Sequence, residues 1–109
     1  GNLSLKAKNP AKISNLCTVF AESEVISLIA KGETRENIIA GIHEAIASRV
    51  SAMANRIGLR APAMMTGGVA RNIGVVRALE KAIGMPVFVS PHAQVVGAIG
   101  AASLARDLL

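Results

Sequence analysis

Met64-Met65-Thr66-Gly67-Gly68-Val69-Ala70-Arg71-Asn72 is the stretch on which the fold turns, because a short apolar run enters two consecutive glycines and a helical pattern follows at once. Glycine has no Cβ. Gly67 and Gly68 can therefore take positive φ and let a flat or anionic group lie against main chain, while the helix that follows offers N–H groups and a positive dipole end. A plain strand-to-helix turn would use the same two residues, and the three spaced glycines of the dinucleotide fingerprint are missing.

The elements on either side give this turn its context. Residues 34–57 read as one long amphipathic helix: Ile38, Ile39, Ile42, Ala45, Ile46, Val50, Met53 and Ile57 recur at helical spacing, with Arg35, Glu36, Glu44, Arg49 and Arg56 largely opposite them. Thr34 suits its N-cap and Gly58 the residue beyond its end. Pro62 allows only an extended entry, Ala63 to Thr66 form a short buried strand, and Asn72 to Ile83 form a second helix closed by Gly84. Pro86 to Ser90 is the next strand, and a last helix runs from about Gln94 to Asp107. That helix is apolar on nearly every side and rich in small residues, so it must be buried by more than this chain's own sheet. Its apolar run, Ala93 to Ala105, is too short to cross a bilayer.

The two strands, with a possible third near Ala11 to Ser14, are too few for the helices they would carry, so the chain reads as part of a larger fold. The polar, basic N-terminus lacks the profile of a secretion signal, and the reading is a cytoplasmic α/β domain. Hydrophobic residues make up 51% of 109, enough for one core. A net charge of +5 could suggest nucleic acid, but the twelve basic residues are scattered and only Phe20 and Phe88 could stack on bases. No nucleic-acid partner and no membrane partner is expected.

The second chemically loaded segment runs from Asn15 to Ser27. Cys17, the one cysteine of the sequence, precedes an apolar periodic run, with Thr18 placed to cap that helix. A thiol at a helix N-terminus suits a metal ligand or a nucleophile, and a small buried hydrophobe would look the same. Neither His43, which reads as a half-exposed helix residue, nor His92, in a loop, is linked to it by spacing. One Cys and two unlinked His cannot complete a metal site, although two copies around an axis could share one.

CTVFAESEVISLIAKG, ENIIAGIHEAIASRV, MMTGGVARNIGVVRALE and GAIGAASLA, in that order, resemble the C-terminal half of the ATPase activators of 2-hydroxyacyl-CoA dehydratases, close relatives of the ATPase subunits of benzoyl-CoA reductase. The resemblance spans about Lys12 to Leu104. It implies half of an actin-like, ribonuclease H-like ATPase domain, a mixed sheet flanked by helices. Gly67 and Gly68 match the glycines that lie against the adenosine of ATP, with Thr66, Val69 and Asn72 at the rim. Cys17 matches one of two cysteines per subunit that hold a [4Fe–4S] cluster at the axis of a homodimer. In that family ATP, with Mg²⁺, drives an angular change between subunits, and the cluster's electron passes to the dehydratase or reductase.

No acidic phosphate loops and no second cluster cysteine have counterparts here. The resemblance therefore implies a partial C-terminal subdomain over residues 1–109, without the upstream phosphate-binding domain and inactive when isolated. A sugar or acetate-type kinase of the same superfamily would share the Gly-Gly turn without needing Cys17. A non-catalytic assembly module would use the apolar last helix and open sheet edges alone.

Overall fold

Among the described residues, 1–14 and 17–109 of the computed structural model, the regular elements are helix α1 (Thr18–Ala30), helix α2 (Arg35–Arg56), strand β1 (Ala63–Met65), helix α3 (Ile73–Ile83), strand β2 (Val87–Val89) and helix α4 (Val96–Asp107). Short 3-10 turns lie at Ser4–Lys6, Gly68–Arg71 and Ala93–Val95. The local signals act as their chemistry predicts. The Thr34 hydroxyl accepts from the Asn37 N–H and starts α2, and Gly58 follows its end at φ +74°. Asn72 caps α3, and Gly84 ends it in the left-handed region, its N–H donating to the Glu80 carbonyl.

The core lies along the α2–α3 seam. Ile38, Ala40 and Ala47 of α2 and Val75 and Val76 of α3 are buried where the two helices pack, as are Val87 of β2 and Ala70 of the glycine turn. Removing each of these valines from water contributes about 1.5 kcal/mol or more. The strands pair in parallel, Ala63 with Val87, Met64 with Phe88 and Met65 with Val89. Glu80 of α3 reaches the sheet as well: its carboxylate accepts from the Val87 N–H at 3.0 Å, and that bond, with help from Arg77, holds its pKa below the usual range.

The sheet has only these two strands among the described residues. No strand forms at Ala11 to Ser14, the possible third of the sequence. The Ala11 N–H donates to the Asn37 carbonyl at 2.9 Å, and its carbonyl packs on Gly41, where any Cβ would collide with it. The segment's hydrogen bonds thus go to a helix rather than to a sheet edge. The observed pair is parallel.

The two outer helices are uncovered. Neither α1 nor α4 has a buried residue among those described, and large apolar side chains on both face solvent, such as Phe20, Ile26, Ile99 and Leu104. The molecule extends 59 × 26 × 25 Å. No helix among the described residues is long and apolar enough to cross a membrane.

Candidate functional site

The glycine turn sits where the carboxyl ends of the parallel strands open, the usual place for a ligand in an α/β sheet. Gly67 has φ +90° and ψ 175°, a region costly to any residue with a Cβ. Its N–H donates to the Ala93 carbonyl at 2.7 Å. Gly68 opens the 3-10 turn and does not take positive φ, contrary to what the sequence suggested for both glycines. What Gly68 contributes is bareness: a Cβ on either glycine would meet nothing within 4 Å. Thr66 and Val69 are exposed beside them.

Asn72 closes the turn and begins α3. Its Oδ1 accepts from the N–H of Gly74 at 3.1 Å and of Val75 at 3.4 Å. Two of the N–H groups expected to be available to an anion are therefore engaged, and the turn offers bare main chain instead.

The segment after β2 joins the same site, which the sequence reading did not anticipate. Besides the Gly67–Ala93 bond, the Arg71 guanidinium donates to Gln94 Oε1 at 2.8 Å. The two turns at the strand ends are thereby clasped. Beside them lies an open groove of about 410 Å³ lined by Arg71, Ile73, Val76, Val89, Ser90 and Pro91. The available signal was positional: Pro91 follows a strand whose carboxyl end must lie next to that of its parallel neighbour.

Cys17 lies elsewhere, at the N-cap of α1. Its backbone is extended and no side-chain capping bond forms there; Thr18 is the first helical residue rather than the cap. The helix begins with the Ala21 N–H donating to the Cys17 carbonyl, which leaves Thr18 already inside it. Asn15 and Leu16, which precede it in the same motif, lie outside the described residues. The half-buried thiol opens on a groove of about 220 Å³ lined by Ile13, Ala21, Ile42, Ile46 and Arg49 among others, with no histidine in its wall. Among the described residues no three His, Cys, Asp or Glu side chains gather as a metal site.

His43 departs most from expectation. It is 7% exposed rather than half-exposed, because the N-terminal turn folds over its face of α2. Its Nδ1 lies 3.0 Å from Ser4 Oγ, and that hydroxyl donates to the Gly1 carbonyl at 2.7 Å. Burial pushes the imidazole pKa below its usual value.

Similarity to known proteins agrees with this geometry. The (R)-2-hydroxyglutaryl-CoA dehydratase activating ATPase of Acidaminococcus fermentans is 53% identical over 100 residues, 92% of this chain and 38% of that protein. The activator of lactoyl-CoA dehydratase of Anaerotignum propionicum is 50% identical over 105 residues, 96% of this chain and 40% of that protein. A solved structure of the activator of the 2-hydroxyisocaproyl-CoA dehydratase from Clostridium difficile with bound ADPNP superposes with a TM-score of 0.94 at 47% identity, covering 98% of this chain and 40% of that one. This chain thus spans about two fifths of the length of these relatives. The expected α/β fold of the actin-like ATPase type holds. With residues 1–105 matching its sequence pattern, the chain belongs to the BadF/BadG/BcrA/BcrD ATPase family.

Proposed function

We propose that this chain is the C-terminal, adenosine-facing part of an ATP-dependent electron-transfer activator that serves a 2-hydroxyacyl-CoA dehydratase or a benzoyl-CoA reductase. The observation that carries the reading is the Gly67–Gly68 turn: side-chain-free, at the carboxyl end of β1, and clasped to the turn after β2. Such a surface admits a flat nucleoside against main chain, with Thr66 and Val69 at its rim and Asn72 holding its far end. A relative of the same fold was solved with bound ADPNP, which supports a nucleotide as the ligand.

Cys17 is the proposed cluster ligand of this chain. It fits a shared site better than a private one, because a half-buried thiol at the molecular surface stands without further ligands gathered around it among the described residues. A [4Fe–4S] cluster bound there and completed across a homodimer would supply the low-potential electron. Cys17 itself would contribute a soft thiolate, and α1 its N-terminal dipole. The acidic residues of this chain, such as Glu33, which hydrogen-bonds Thr34 and Asn37, serve caps and surface pairs, so Mg²⁺ binding and water positioning are assigned to another part of a cytoplasmic parent ATPase. The isolated chain should not hydrolyse ATP.

Gly68→Val in the full-length protein tests the nucleotide site. A Cβ there meets nothing within 4 Å, so the fold should be retained, while calorimetry should read a loss of about tenfold or more in ATP affinity. Unchanged affinity removes the assignment. For the cluster, Cys17→Ser should abolish iron binding and visible absorbance and leave ATP binding intact, whereas full iron occupancy in that variant would remove Cys17 as the cluster ligand and with it the main support for the activator reading.

A further inference from the structure

We propose that the buried His43–Ser4 pair is a positioning device for the Gly67–Gly68 turn, acting from α2 on the first turn of α3. The inference rests on the reading of that turn as a nucleotide contact and adds residues that do not touch the nucleotide.

The surroundings make the pair conspicuous. Buried apolar residues of α2 and α3, Ala40, Ala47, Val75 and Val76, are small. Ser51, also buried, donates across to the Ala82 carbonyl at 3.3 Å near the end of α3, and the His43–Ser4 pair lies at the other end, where α3 begins. The Ser4 hydroxyl has a single hydrogen, which goes to the Gly1 carbonyl, so Nδ1 of His43 carries the proton and donates to Oγ. A buried bond of this kind is directional in a way that apolar contact is not.

The pair also touches α3 directly. A Cβ on Gly74 would collide with Ser4 Oγ and lie 2.6 Å from His43 Nδ1, so the main chain of Gly74 rests on both side chains. From there the contacts run without a gap. The Gly74 N–H donates to Asn72 Oδ1, the Asn72 N–H donates to the Val69 carbonyl at 2.9 Å, and the Ala70 N–H donates to the Gly67 carbonyl at 3.2 Å. A leucine in place of His43 would fill comparable space but lose the bond that sets where Gly74, and with it Asn72 and the turn, must sit.

The experiment uses the full-length protein and three variants: His43→Leu, His43→Asn, whose side-chain amide can still donate near the Nδ1 position, and Ser4→Ala. Two readouts are taken, affinity for ADPNP and hydrogen exchange at the Gly74 and Val75 amides of the nucleotide-free protein. His43→Leu should weaken ADPNP by about tenfold and speed exchange at both amides, and His43→Asn should recover most of both effects. Binding by folded His43→Leu within about twofold of wild type overturns the proposal, as does equal impairment of the Leu and Asn variants, which would mean that ring shape rather than the donor matters. Should His43→Leu fail to fold, Ser4→Ala removes only the hydroxyl and decides by the same two readouts. Absence of ADPNP binding in the wild type would be a failure of the nucleotide reading instead, and exchange at Gly74 and Val75 would then decide the positioning role alone: faster exchange supports it, unchanged exchange overturns it.

Discussion

The α2–α3 seam and the outer pair α1 and α4 draw on similar apolar residues and use them in opposite ways. Along the seam, small side chains and glycines let backbones approach, and Ile38, Ala40 and Ala47 of α2 are buried, as are Val75 and Val76 of α3. On α1 and α4 the same chemistry faces outward, with Phe20 at 65% and Leu104 at 68% exposure. Glycines sharpen the contrast. Gly41 and Gly74 have no room for a methyl group, whereas Gly97 and Gly100 on α4 meet nothing within 4 Å. Composition alone does not say which apolar helix is core, because burial depends on what lies opposite. Uncovered faces of this size mark places where more protein packs.

The largest effect should come from breaking the seam. Gly74→Val drives a branched side chain into Ser4 and His43, and overpacking at so tight a point should cost about 3 kcal/mol, readable as a lowered denaturation midpoint. Gly100→Val on α4 in the isolated chain should change stability by less than about 1 kcal/mol. If the same substitution is costly in the full-length protein, α4 is covered there.

A smaller effect is expected at the helix cap that the glycine turn leads into. Asn72→Ala removes both bonds to the first turn of α3 and should cost about 1 kcal/mol by chemical denaturation.

His43 makes the seam sensitive to acid. Its folded pKa lies below the unfolded value near 6.5, so the unfolded chain binds more protons between the two. Stability should accordingly be level above about pH 6.5 and fall as pH drops through the lower, folded value. Denaturation midpoints at about pH 7.5 and about pH 5.5 check the sign, and His43→Asn should flatten the difference.

At the other extreme, Phe20→Ser or Ile99→Ser should shift the stability of the isolated chain by no more than about 0.5 kcal/mol, since neither side chain is covered. A loss several times larger would mean that α1 or α4 packs on something in solution, and light scattering would show whether that is a second copy.

Much of this was legible in the sequence because it is local. Thr34, Asn72 and Gly84 announce helix ends through bonds that reach only a few residues, and Gly67 announces a backbone conformation that other residues avoid. The parts that were misread depend on distant partners. Ala11 to Ser14 looks like a strand by composition, yet its Ala11 N–H is taken by Asn37. His43 looks half-exposed on its helix, yet Ser4, thirty-nine positions away, covers it. The clasp of Arg71 and Gln94 had no local sign either.

By itself, then, the sequence determined the order of the main elements, the caps of α2 and α3, the glycine turn between β1 and α3, and the resemblance that led to the family. Each of these is settled by residues within a turn or two of one another or by their order along the chain. Only the tertiary structure decided that the turns after β1 and β2 form one site, that Cys17 opens on a separate groove, and that a histidine is buried where α3 begins. Those arrangements join segments far apart in sequence, and no short-range preference of one segment specifies which distant segment will cover it.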